Sequence, residues 1–550
     1  MLRYLVILFI VFLFRTSSAD LPITVACVRS SQVNETSEPL THTFYFPPFW
    51  NENITAPTYR PSHLCEWNVS IPQGEYVLFT MKADIGVDSR LNITDCNGHS
   101  EIWNDTAPAP LYAPNQQCQW KVYVPAALYA LFSMEANIGD DSILKITDIN
   151  NKSERVMTSN QQPYVFVGAW FLIDLTVGPN GAATSFGFKV QWLEFPSPNP
   201  AYYSISKTSD AIYFDEMLLE NSVTITAETQ VSLVAFPSEI ADLTPLLRLT
   251  LVFDGPDMNS PYLGTLFQAL RCNKPMVSTN TTMTIFTFQE DYVVGSYFVV
   301  QDYYNVRDLV GFKGITCWSQ SSCPVTLNAA NGPVAAMTLN LDDGDEFIKQ
   351  LDLSSDAVLK IYLGARRVNN ETNLIASYNS LESKSNIPQK FNGDIMTYYL
   401  EKGTALVELA EDSNYTRWND AVNGRAGFMT SRQLGTLCDY QDLYETIGGL
   451  FSNQTFAYTV NVTYVDLSNG AKLTITFDNT TGQREYTFSK NSTPSPTVFT
   501  EHSNNMTVSY FTNGTNTTGF YLDFKIGESS SSSSFVSAIT VFLIILISLL

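Results

Sequence analysis

The chain has 550 residues, a formal net charge of −23, 45% hydrophobic residues and only 15% charged ones. That acidity excludes binding along a phosphate backbone, which runs on Lys and Arg, so nucleic acid is not an expected partner. The hydrophobic share excludes a disordered chain, and the 13% aromatic content suits β-sheet cores.

The first element is a leader. Arg3, an apolar run from Tyr4 to Phe14 and the small residues Ser17-Ser18-Ala19 form a secretory signal peptide over residues 1–19, too short to span a membrane. From Asp20 to about Gly527 the chain has room for roughly three to five domains.

A duplication at an offset of 53 residues follows. Cys65-Glu-Trp-Asn-Val-Ser-Ile-Pro matches Cys118-Gln-Trp-Lys-Val-Tyr-Val-Pro, and Asp88-Ser89, Leu91 and Ile93-Thr94-Asp95 match Asp141-Ser142, Leu144 and Ile146-Thr147-Asp148. Alternation puts Trp67, Val69 and Ile71 on one face, with the sequon Asn68 on the other. In the second copy Lys121 and Lys145 take the outward positions of Asn68 and Asn92. One wet face and one dry face is the pattern of an antiparallel sandwich sheet. Trp67 and Trp120 are expected to pack in the core beside a disulfide.

These motifs, C-x-W and then D-x-x-L-x-I-x-D, resemble the CUB-like domain of secreted nematode proteins. Val165 to Trp192, closing in Phe186-Gly187-Phe188, is similar to that domain's last strands. Leu249-Thr-Leu-Val-Phe-Asp254-Gly255-Pro256, Ser260-Pro261-Tyr262-Leu263-Gly264 and Val277-Ser278-Thr279-Asn280 resemble a further stretch of the family, and Gly519-Phe520 its closing strands again. The resemblance implies an all-β fold of tandem CUB-like antiparallel β-sandwich (jelly-roll) domains. It also implies a surface or secreted protein associated with responses to pathogens.

Many CUB domains bind calcium, and Asp88 and Asp141 fall where such a domain places one ligand. Thr80 and Ser133 stand where its partner Glu is expected, and Val177-Gly178 where a later Asp is expected. Capping of the following turn is therefore the expected role of both aspartates. Asp342-Asp343-Gly344-Asp345-Glu346 is the densest acidic cluster; its spacing is not that of a calcium loop, and a solvated turn is expected. No metal or cofactor is expected, with Asp88, Asp141, Asp342 and Asp345 as the nearest candidates.

The expected organisation is a signal peptide (1–19), a short first CUB-like unit (20–105), a second (106–195), a third (201–318) and two β-sandwich units (323–438 and 439–526). Pro196-Ser-Pro-Asn-Pro200 reads as a stiff linker after the repeat. Whether the last two units form one interrupted domain stays open.

Eight cysteines remain after the leader: Cys27, Cys65, Cys96, Cys118, Cys272, Cys317, Cys323 and Cys438. In an oxidising compartment they read as up to four disulfides. Keeping bridges within units gives Cys27–Cys65, Cys96–Cys118, Cys272–Cys317 and Cys323–Cys438 as the expected pairing. N-glycosylation sequons stand at Asn34, Asn53, Asn68, Asn92, Asn104, Asn151, Asn280, Asn370, Asn414, Asn453, Asn461, Asn479, Asn491, Asn505, Asn513 and Asn516.

Residues 527–550 end the chain with small residues, a serine run from Ser529 to Ser534 and an apolar tail from Phe535 to Leu550. That is the pattern of a glycosylphosphatidylinositol attachment signal, with Gly527 expected as the attachment residue and Ser529 next. A short tail-anchored helix is the alternative.

No catalytic motif is present: G-x-S-x-G and H-E-x-x-H are absent, and His42, His63, His99 and His502 are the only histidines. The expected protein is a non-enzymatic recognition or adhesion protein at the outer leaflet of the plasma membrane, with extracellular protein or glycan ligands. A carbohydrate-active hydrolase with hidden carboxylates and a non-specific protective coat are the alternatives.

Overall fold

The computed structural model describes residues 108–528 except 126, 182, 198, 216–220, 239, 289–296, 318–321, 341–344, 382, 440–441, 450–453, 469, 480–481 and 491–496. The leader, the first unit and the C-terminal tail lie outside the described residues.

The second unit is built from β1 (Gln117–Tyr123), β2 (Leu128–Asn137), β3 (Ile143–Thr147), β4 (Ser153–Val156), β5 (Tyr164–Phe166), β6 (Trp170–Thr176) and β7 (Ser185–Glu194). Sheets β1-β6-β3-β4 and β5-β2-β7 form its two layers, and every pairing is antiparallel. The alternation read in the second repeat copy sets the faces. Trp120 is only 6% exposed and meets Phe186 and Phe188 at 5.8 and 5.5 Å, while Lys121 is exposed and Lys145 half-buried. Burying an indole of this size contributes several kcal/mol by itself. Cys118 shares that core and is disulfide-bonded; Cys27, Cys65 and Cys96 lie outside the described residues.

The third unit comprises β8 (Pro200–Ile205), β9 (Ile212–Asp215), β10 (Ser222–Ala227), β11 (Val231–Ala235), β12 (Thr250–Phe253), β13 (Tyr262–Thr265), α1 (Leu266–Arg271), β14 (Met276–Val277), β15 (Thr282–Thr287) and β16 (Tyr297–Asp302). Its layers are β13-β12-β15-β10-β8 and β14-β11-β16-β9. Incoming strand β8 joins its sheet edge in parallel with β10, the one departure from antiparallel pairing among the described residues of this unit.

β17 (Gly311–Ile315), expected in the third unit, instead pairs in parallel with Val334–Leu339 and opens the fourth sandwich. The reason lies in packing: Phe312 is buried among Ala335, Met337 and Tyr399 of the fourth unit, together with Val234 and Phe236 of the third. Likewise Ala426–Thr430, expected in the fourth unit, pairs with Gly519–Glu528 in the fifth. The fourth and fifth units are built on two different pairs of sheets.

The units are joined by continuous packing. Phe195, at the edge of the expected linker, lies 5.8 Å from both Phe286 and Phe288, and Tyr129 lies 4.2 Å from Phe288. Phe195 is thereby drawn into an apolar seam, and the two units pack against each other there. Between the third and fourth units Arg366 pairs with Asp308 through two contacts of 2.9 Å. Between the fourth and fifth, the Gln389 amide donates to the Phe428 carbonyl (2.9 Å) and accepts from the Phe428 N–H (3.1 Å). Asn392 donates to the Thr430 carbonyl at 2.8 Å. Gln389 and Asn392 belong to an edge strand of one sheet, and Phe428 and Thr430 to an edge strand of another. Side-chain amides thus satisfy backbone groups that an unpaired edge leaves open.

The expected bridges Cys272–Cys317 and Cys323–Cys438 do not form. Cys317 bonds Cys323, six residues on, with the Cα atoms 5.5 Å apart, while Cys272 and Cys438 carry free thiols. The cause is local. β17 ends two residues before Cys317 and Cys323 opens the next strand, so the short connection brings the two together. Maleimide labelling of the native protein is therefore expected to modify Cys272 and Cys438, and to reach Cys317 and Cys323 only after reduction. Peptide mapping of the labelled protein checks both.

Inside the fourth unit Glu346 is 1% exposed and accepts from the Tyr398 and Thr338 hydroxyls. Burial raises its pKa above the ordinary carboxylate value. The folded state thus holds a proton that the unfolded state releases. The stability this confers is complete below the ordinary carboxylate range and falls as pH rises through the raised value. Glu346→Gln is expected to flatten that fall in urea melts run between about pH 4 and pH 8.

Candidate functional site

The β3–β4 turn begins at Asp148, whose carboxylate accepts the N–H groups of Asn150 and Lys152, both at 2.9 Å. Asn151 sits between them with φ +59°, a conformation that Asn adopts more readily than most residues. Across the seam, Thr265 and Gln268 form a reciprocal capping box that opens α1. The Gln268 side chain then donates to Asp148 at 2.7 Å, and Lys152 donates to the Leu263 carbonyl at 3.0 Å. Asn150 donates to the Tyr262 carbonyl, also at 3.0 Å. A hairpin of the second unit and a strand–helix turn of the third are thereby locked together.

Between them lies a cleft of about 380 Å³. Its floor is an ion pair. Arg248, from a 3₁₀ segment at Ala241–Leu249, has a side chain only 5% exposed and grips Glu154 of β4, itself 15% exposed. Its Nη1 donates to the Gln161 carbonyl at 2.7 Å, and its guanidinium lies 3.7 Å from the Phe267 ring centre and 4.4 Å from that of Tyr164. Tyr164 donates to Glu154 at 3.2 Å, and burial, more than any other influence, holds its phenol well above the usual range. Val165, Phe166 and Phe267 supply apolar wall, and Arg271 and the free Cys272 complete the lining.

Both cleft carboxylates are engaged: Glu154 by Arg248 and Tyr164, Asp148 by Gln268 and two backbone N–H groups. Neither is placed to act as a free general acid or base. What the cleft offers is concave, mixed apolar and cationic surface, which is suited to binding.

The sites expected from sequence lie elsewhere. Asp141 accepts the Asn180 N–H at 2.7 Å, as a turn cap does. Calcium does not fit there. Ser133 replaces one acid, and any side chain at position 178 would drive into the Asp141 backbone carbonyl. Asp345 and Glu346 open strand Asp345–Leu353, where a solvated turn was expected, because Glu346 packs into the core and Asp345 pairs at 2.6 Å with Lys390, which also holds Glu445; Asp88 and Asp342 lie outside the described residues. Among the described residues no group of three or more His, Cys, Asp or Glu side chains is placed to hold a metal ion.

Of the sequons, Asn151, Asn280, Asn414, Asn479, Asn513 and Asn516 are exposed, and Asn370, Asn461 and Asn505 half-buried. Asn34, Asn53, Asn68, Asn92, Asn104, Asn453 and Asn491 lie outside the described residues. Gly527 is a member of strand Gly519–Glu528, opposite Ala457; Ser529 lies outside. Sequence reasoning missed Glu154, Arg248 and Arg271 because 94 residues separate the ion-paired partners and no local pattern marks them.

Comparison with known proteins places this cleft. The CUB-like domain family matches residues 24–102 and 99–196. The chain is CUB-like at its N-terminal end. Residues 203–288 match a domain of unknown function, DUF7592, and residues 304–412 another, DUF7591. The cleft thus forms between the second CUB-like match and the domain after it. CUB-like domains point to extracellular recognition or adhesion, and are typically non-catalytic binding modules. No curated protein matches the chain. Among solved structures, the CUB1-EGF-CUB2 domains of rat MASP-1 are 9% identical, covering 39% of this chain and 99% of that one at a TM-score of 0.15. The same domains of human MASP-1/3 are 11% identical over 36% and 97%, also at 0.15. Scores that low lend no weight to fold or function. Among the described residues no helix is long and apolar enough to cross a membrane.

Proposed function

We propose that this is an N-glycosylated, lipid-anchored cell-surface protein that recognises extracellular ligands through the cleft between its second and third units. The observation that carries the reading is the cleft itself, in which two CUB-side carboxylates are occupied while apolar and cationic groups stay open. The sixteen sequons and the apolar tail after the serine run support the surface location. Gly527 and Ser529 are the proposed attachment residues; use of Gly527 requires its pairing with Ala457 to open. A part in defence against pathogens, which the family resemblance implies, belongs to the same reading.

Two measurements test it. Phosphatidylinositol-specific phospholipase should release the protein from expressing cells; retention until detergent is added points to a spanning tail. The soluble chain, ending at residue 528 and fluorescently labelled, should bind cells of the source organism. Cys272→Trp, which fills the cleft from an exposed position without removing a bond, should abolish that binding. Undiminished binding by this variant removes the cleft from the proposal.

A further inference from the structure

The unused hydrogen-bonding groups of the cleft are unequally divided. Its acceptors are spent: the Glu154 and Asp148 carboxylates each take two or more protein donors. Its donors are not. Arg271 is 61% exposed, forms a long ion pair with Glu154 at 3.8 Å, lies over the Phe267 ring and makes no hydrogen bond among the described residues. Lys152 uses one of its three ammonium hydrogens, on Leu263. The Tyr262 hydroxyl has no hydrogen-bond partner among the described residues and, as a phenol, is a donor at neutral pH. The lining carries Lys152, Arg248 and Arg271 against Asp148 and Glu154, a net charge of +1 in a chain whose total is −23.

From this imbalance, and resting on the recognition reading above, we propose that the cleft binds a carboxylate carried beside an apolar group, as an acidic peptide segment of a protein ligand presents it. Arg271 and Lys152 meet the carboxylate, Tyr262 donates to it, and Val165, Phe166 and Phe267 receive the apolar part. An acidic sugar suits the cleft less well. Its hydroxyl hydrogens need acceptors, and both cleft carboxylates are already committed.

The test uses the soluble chain with its glycans trimmed, because the exposed Asn151 sequon directly precedes Lys152 of the lining. Ligand-observed NMR measures binding of N-acetyl-L-phenylalanine, of its carboxamide, and of glucuronate. The carboxylate is expected to bind at least about tenfold tighter than the carboxamide. Arg271→Ala should remove most of that preference and shift the melting temperature by no more than about 2 °C, since its one ion pair is long and mostly exposed. Raising the salt from about 50 to 500 mM should weaken the carboxylate alone. Equal binding of acid and amide, binding unaffected by Arg271→Ala, or a preference for glucuronate each overturns the proposal. Those outcomes leave the recognition reading standing so long as Cys272→Trp still abolishes cell binding.

Discussion

Glu154→Ala is expected to cost the joined second and third units about 3–5 kcal/mol. The loss comes from what stays behind. Arg248 remains caged between Tyr164 and Phe267 with a charge that no carboxylate balances. Desolvating an unpaired guanidinium costs more than the pair's attraction contributes, so the penalty is one of stranding. Adding Arg248→Met should recover much of the loss, because a flexible apolar side chain fills the space between the rings without a charge to satisfy. Urea melts of the single and double variants check the pattern. A single-variant loss below about 1 kcal/mol would show that water reaches the arginine.

Gln389→Ala is expected to cost about 2–4 kcal/mol and to loosen the fourth unit from the fifth. The substitution strips both partners from Phe428, leaving one buried N–H and one buried carbonyl unsatisfied at roughly 1–3 kcal/mol each. Asn392 still holds Thr430, so the seam weakens without opening fully. The expected signature is a melt that splits into two transitions, together with new protease cleavage between residues 411 and 425. A single transition, merely shifted, would place the bond inside one cooperative unit.

The sandwich architecture was legible in the sequence because strand alternation is a local property. Trp120 inward with Lys121 and Lys145 outward follows from period two alone, and the repeat showed it twice. Unit boundaries were less legible. β17 leaves the third unit because its partner, Val334–Leu339, comes later in the chain, and a five-residue strand carries no mark of which sheet it will join. Cysteine pairing failed for a related reason: keeping bridges within assumed units excluded Cys317–Cys323, which spans the boundary drawn at residue 318. The cleft was invisible for the strongest version of that reason, since its ion pair exists only once two units have docked.

The fifth unit has a bearing on how a C-terminal tether would transmit force. Its first strand starts at Ala426, directly opposite Lys525 near the end of its last strand, and Gly424 donates to the Ile526 carbonyl at 2.8 Å. The chain therefore comes into this sandwich and leaves it at the same end. A tether attached beyond Glu528, as proposed above, would therefore start beside the segment that enters from the fourth unit, and the sandwich would not serve as a stalk between them. Tension on the tether passes between two neighbouring antiparallel strands loaded at one end, where bonds peel singly and do not share the load. The first link to fray would then lie in the fifth unit, in strand Gly519–Glu528, and not in the contacts that join the second and third units.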